Sequence, residues 1–260
     1  MGDEHHHSRL NIRQSEQPMT LGSPRTPRIR ILDLETTGLT PDDHVVEIAA
    51  LALVDNAIVP VGSNLVRPPI PIPPQACAIH HITDEDVRQS RSFDEHLPFY
   101  LDQSGKDGVG VFAFHNWPFD RQWLRDHLQG RPVICTYRCA LRVWPEAPAH
   151  GNQALRYWLK PKGLNAKIAN ISHRALPDAY TTAFILRELL NQATVENLIA
   201  WTTEPALLPR ITFGRHRGSS WTEVPQDYLG WIVDRSDLGE DVKFTASHHQ
   251  RYRGHGADRA

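Results

Sequence analysis

The sequence predicts an α/β domain on a mixed five-stranded sheet flanked by helices, with a small module after it. Three observations carry that expectation. Residues 28–35, 45–54 and 58–66 are apolar or alternating runs separated by turn residues, the pattern of three strands in an antiparallel meander. Two further apolar runs, 108–114 and 133–135, then alternate with helical patterns, as strands and helices do in a layered α/β domain. Beyond residue 204 the composition shifts to glycine, basic and aromatic residues, setting apart a unit of roughly 45 residues, too small for a large core of its own.

Each element has a local reason. Thr37-Gly38 ends the first strand in a turn. A proline-rich connection, 68–74, leads to Ile79-His80-His81-Ile82-Thr83, and Thr83 followed by Asp84, Glu85 and Asp86 reads as a capped helix start. Residues 93–101 read as a helix, and so do 119–128, with Asn116 as N-cap and Pro118 at an early position. Helical stretches at 138–144 and 153–159 precede the longest helix, 177–190, in which Ala179, Ala183 and Leu186 share a face. A last helix covers 194–201. The expected organisation is a disordered tail over 1–27, a main domain over 28–203, the module over 204–250 and a frayed basic tail over 251–260.

The composition, 40% hydrophobic and 22% charged over 260 residues, is that of a soluble globular chain. No run approaches the ~20 apolar residues of a membrane span, and residues 1–27 lack the apolar stretch of a secretory signal. The three cysteines, Cys77, Cys135 and Cys139, are an odd number without disulfide-like spacing, so a cytoplasmic location is expected. Cys135 and Cys139 are expected as buried thiols, because no second Cys/His pair follows to complete a zinc site. A net charge of −2 argues against a protein held on nucleic acid by bulk charge. It leaves room for an enzyme with local basic contacts around an acidic site.

Three patches suggest such a site. Asp33 and Glu35 lie two apart on a strand and project to one side, with Leu34 opposite. Two carboxylates side by side in a core strand repel each other and resist desolvation unless a cation neutralises them. His115-Asn116 follows a short apolar strand, at the strand end where α/β sheets often place sites, and Asp120 falls in the first turn of the next helix. His173 precedes Asp178 by five residues and lies in a loop, while Asp178 opens a helix after Pro177. First-turn acids at Asp120 and Asp178 also have a capping explanation, because the helix dipole favours them.

These patches resemble the three motifs of the DnaQ-like, or DEDDh, 3′→5′ exonucleases, with the exonuclease X subgroup the nearer likeness. Motif one stands as Asp33-Leu34-Glu35-Thr36-Thr37-Gly38, motif two as His115-Asn116 with Phe119-Asp120, and motif three as His173 through Asp178. The stretch Asn152-Gln153-Ala154-Leu155-Arg156-Tyr157 is similar to the subgroup between motifs two and three. The resemblance implies a ribonuclease H-like fold and two divalent cations, Mg2+ or Mn2+, held by Asp33, Glu35, Asp120 and Asp178. It implies that His173 is the general base on the attacking water, and that the partner is nucleic acid, DNA 3′ ends above all. Ile79-His80-His81-Ile82-Thr83 is similar to the family's Ile-His-Gly-Ile-Thr segment, which makes Ile79 and His80 candidates for contact with the terminal nucleotide. His81 replaces the family's glycine there. Thr36, Thr37, His115 and Asn116 complete the expected substrate contacts. The module's Arg215 and Arg217 are candidates for phosphate, and Trp221, Tyr228 and Trp231 for stacking or for the module's core. The competing readings are an exoribonuclease of the same fold and a catalytically silent nucleic-acid-binding scaffold.

Overall fold

A computed structural model describes residues 27–101 and 108–257, with side chains through 252. The tail expected over 1–27 lies, save for Pro27, outside the described residues. The sheet holds β1 (Ile29–Thr36), β2 (Val45–Val54), β3 (Ala57–Leu65), β4 (Val111–Phe114) and β5 (Val133–Cys135), in the order β3-β2-β1-β4-β5. β1 to β3 form the antiparallel meander, and β4 and β5 add in parallel, so the sheet is mixed as expected. The parallel additions need crossovers, and helices supply them.

In chain order the helices are α1 (Pro74–His80), α2 (Asp84–Val87), α3 (Phe93–Leu101), α4 (Trp117–Leu124), α5 (Thr136–Val143), α6 (Asn152–Leu159), α7 (Ala166–Ala169), α8 (Ala175–Leu190), α9 (Val195–Thr203), α10 (Gln226–Arg235) and α11 (Glu240–Ala257). One sheet face, with Ile29, Ile31, Ala49 and Leu51, packs on Ala179, Ala183 and Leu186 of α8. The other, with Leu32, Ile48, Phe112 and Phe114, packs on Leu97, Tyr100 and Leu124 of α3 and α4. β1 is thus covered on both sides, as a strand reading Ile-Arg-Ile-Leu requires.

The structure departs from expectation in several places. The proline-rich connection contains α1, because a proline at the first helical position lacks only an N–H that the helix leaves unpaired anyway. Asn116 stands at the N-cap of α4 but makes no side-chain cap; its backbone is left-handed, at φ 72°, a conformation asparagine tolerates. The helix expected over 119–128 is α4 followed by a tighter 3₁₀ turn, Arg125–Leu128, and Gln129 and Gly130 then take positive φ. Finally, the frayed tail expected from 251 is helical as far as Ala257, with the His248 and Tyr252 rings 4.5 Å apart one turn from each other. Residues after 204 gather a separate core of Ile211, Trp221, Val224, Leu229, Ile232 and Ala246. Trp221 is 1% exposed and belongs to that core, whereas Trp231 is 44% exposed. Among the described residues no helix is long and apolar enough to cross a membrane.

Candidate active site

Strand alternation aims Asp33 and Glu35 to the same side as Ile29 and Ile31, the side covered by α8. Both stand at the C-terminal end of β1. Asp178, in the first turn of α8, reaches the same point from above the sheet. One carboxylate oxygen from each of Asp33, Glu35 and Asp178 lies within 4.8 Å of the others. Asp120, 3% exposed in the first turn of α4, stands outside that trio but lines the same cavity of about 840 Å3. His173 lines it too, from the loop before α8. The cavity opens beyond the C-terminal ends of the parallel strands β1 and β4, the usual place for sites in such sheets.

The electrostatics of this cluster are those of acids without enough solvent. Burial, then Asp120, Asp178 and Glu35, push the Asp33 carboxyl well above the usual carboxylate range. Burial, Asp178 and Glu47 push Glu35 up to about 8, with Arg174 opposing. Burial raises Asp120, with Glu35 adding to it, and burial raises Asp178 against the backbone N–H of His173. That N–H, one residue before the N-cap of α8, donates to Asp178 Oδ2 at 2.7 Å and ties the loop to the helix rather than capping it. Hard carboxylate oxygens crowded this closely, with raised proton affinity, are a donor set that fits a divalent cation.

The remaining anticipated residues line the same cavity in different ways. Ile79 is 51% exposed at its edge. His80 is 2% exposed; its Nδ1 accepts from the Ile82 N–H at 3.0 Å, and burial lowers its pKa, so it offers little surface for stacking. Thr36 and Thr37 are buried, and their hydroxyls are engaged within the turn, Thr36 with the Gly38 carbonyl and Thr37 with Asp43 Oδ1 at 3.0 Å. His115 pairs through Nδ1 with Thr136 Oγ1 at 2.9 Å, and burial lowers its pKa to about 4, keeping the ring neutral. Asn116 is exposed. His81, at the glycine position of the similar family segment, is left-handed with φ 59°.

Sequence reasoning missed three features of the site. Leu39, 76% exposed, lines the cavity next to the first motif. Asn152 donates to the Asp178 carbonyl at 3.0 Å and to Thr182 Oγ1 at 3.2 Å, which ties α6 to α8 beside the carboxylates. Glu47, 3% exposed, lies directly opposite Glu35 across the sheet and is paired with Arg174. Its signal was visible as the one charge inside the otherwise apolar run Val45–Val54.

Comparison with known proteins agrees with this geometry. The profile of the exonuclease family, RNase T type, matches residues 31–186. Exodeoxyribonuclease 10 of Escherichia coli K12 is 35% identical over 232 residues, covering 85% of this chain and 98% of that protein. The solved structure of exonuclease X in complex with 5′ overhanging duplex DNA is 36% identical, with a TM-score of 0.56 over 67% of this chain and 99% of that one. The nuclease domain of 3′hExo, a DEDDh family member bound to rAMP, shares the fold at 16% identity and a TM-score of 0.51, over 65% of this chain and 94% of that one. The match spans all three acidic patches, and on it the chain belongs to the exonuclease family of hydrolases, of the DEDDh type, with a ribonuclease H-like fold.

Proposed function

We propose that this chain is a metal-dependent 3′→5′ exodeoxyribonuclease that releases nucleoside 5′-monophosphates from DNA 3′ ends. The observation that carries the reading is a single cavity holding Asp33, Glu35, Asp120 and Asp178 with His173 at its side. Deoxyribonucleic acid as substrate is supported by the naming of the 35% identical relative and by the duplex DNA in the similar structure. The cytoplasm is the proposed location.

Asp33, Glu35, Asp178 and Asp120 would together hold two divalent cations, Mg2+ or Mn2+. When bound, such ions supply an activated water and neutralise charge on the leaving 3′ oxygen. His173, at the side of the cavity, would take the proton of the attacking water on its imidazole. Its backbone N–H stays on Asp178, so the base and a carboxylate of the cluster are linked at one atom. Ile79 and Leu39 rim the cavity with apolar surface, which suits sequence-tolerant contact with the terminal base.

Time-resolved digestion of 5′-labelled single- and double-stranded DNA and matched RNA, with Mg2+ or Mn2+, tests the reading. The expected result is a ladder shortening from the 3′ end on DNA, mononucleotide product, and loss of at least about a thousandfold in Asp33→Ala. A fully active Asp33→Ala protein, or digestion confined to RNA, overturns it.

A further inference from the structure

Glu47 is an expensive residue where it stands. It is 3% exposed, on the face of β2 that meets α8, and in register with Glu35. Like charges facing each other across two strands destabilise a sheet. Glu47 also raises the proton affinity of both Asp33 and Glu35. An apolar side chain at this position would extend the core already formed by Ala49 and Leu51 without that cost.

What Glu47 holds is the segment that carries His173. Arg174 Nε donates to Glu47 Oε2 at 2.9 Å and Arg174 Nη2 to Oε1 at 2.7 Å, a two-pronged pairing that fixes orientation as well as distance. The Ala175 N–H, the first of α8, donates to Oε2 at 2.9 Å. Arg174 is the N-cap of α8 and supplies no side-chain cap of its own, so Glu47 caps the helix from a neighbouring strand. On its other side His173 is tied by its own N–H to Asp178. Between these anchors His173 adopts φ 58°, a left-handed conformation that is uncommon for a residue with a β-carbon.

We propose that the Glu47–Arg174 pair is a positioning device for His173: it fixes the backbone next to the histidine so that the ring meets the cavity in one orientation. This rests on the reading of His173 as the base. The pair touches no reacting atom and acts through the histidine.

The test is a double-mutant cycle on the full chain, with kcat, KM and Mn2+ affinity measured for Arg174→Ala, His173→Ala and the double variant. The expected result for Arg174→Ala is a fall of about ten- to a hundredfold in kcat, as loss of alignment gives, with KM nearly unchanged. In the His173→Ala background the same substitution is expected to change kcat by less than about twofold, because its effect has nothing left to act through. Arg174→Lys, a point charge without the planar fork, is expected to restore only part of the rate. If Arg174→Ala unfolds the protein, the neutral pair E47Q/R174Q is read in the same cycle. Wild-type kcat in Arg174→Ala, or an equal loss in both backgrounds, overturns the positioning role while leaving the base reading intact. Full activity in His173→Ala overturns both.

Discussion

His81 closes α1 in the left-handed region, and its backbone N–H still bonds the Cys77 carbonyl at 2.8 Å as a helix end of this kind requires. The left-handed turn costs a β-carbon-bearing residue roughly 1–2 kcal/mol, and glycine escapes that cost while losing more chain entropy on folding. The balance favours glycine. His81→Gly is therefore expected to raise stability by about 0.5–1 kcal/mol in urea unfolding and to leave digestion unchanged. A destabilised His81→Gly protein would mean that the imidazole contributes a contact beyond the turn. The sequence shows a histidine in the family's glycine place, and only the structure shows that its backbone is left-handed.

At the scale of elements, the turn after β1 holds the first motif rigid. Asp43 accepts from the Thr37 hydroxyl at 3.0 Å and from the Thr40 N–H and hydroxyl at 2.9 and 2.7 Å, and the Trp123 indole N–H of α4 donates to the Asp43 carbonyl at 2.6 Å. A β-carbon on Gly38 would stand 2.5 Å from both Asp43 carboxylate oxygens, which these bonds prevent from moving freely. Gly38→Ala is expected to cost about 1–3 kcal/mol and to lower kcat by at least about tenfold, since the turn carries Thr36, Thr37 and Leu39 along the cavity. Thermal unfolding and steady-state digestion check the two numbers; an unchanged melting temperature would show that the turn yields. The five strands and the helices near 93–101 and 153–159 were legible because period and punctuation are local. Helix α1 was not, because prolines that read as a break also fit a first turn. Glu47 was visible as an odd charge in β2, yet its partner Arg174 lies 127 positions away, beyond any window of pattern.

For the whole molecule the carboxylate cluster ties stability to pH and to metal. Glu35 titrates near pH 8 in the fold against 4.5 in a free chain, so between those values the folded state keeps a proton that the unfolded chain has lost. Stability then falls as pH rises through that window. The buried histidines act the other way below 6.5: His115, lowered to about 4 by burial, makes acid destabilising as the unfolded chain takes protons first. Between pH 6.5 and 8 the carboxylates dominate. With metal chelated, stability is expected to drop by about 1–2 kcal/mol across that interval, and saturating Mg2+ or Mn2+ is expected to flatten the dependence. Melting curves at both ends of the interval, with chelator and with metal, measure it; a chelated protein that gains stability toward pH 8 would contradict it.

The sequence by itself determined the strands of the sheet, the identity of the acidic residues and their order, because alternation, turn chemistry and motif spacing are written along the chain. It also set Asp33 and Glu35 on one side of a strand, since that follows from a period of two. Tertiary structure alone decided that one oxygen each of Asp33, Glu35 and Asp178 meets within 4.8 Å, that His80 is buried while Ile79 is exposed, and that Glu47 pairs with Arg174 beside His173. Those outcomes depend on how α8 lies across β1 and β2, and packing between distant segments obeys shape and charge in three dimensions rather than any local repeat.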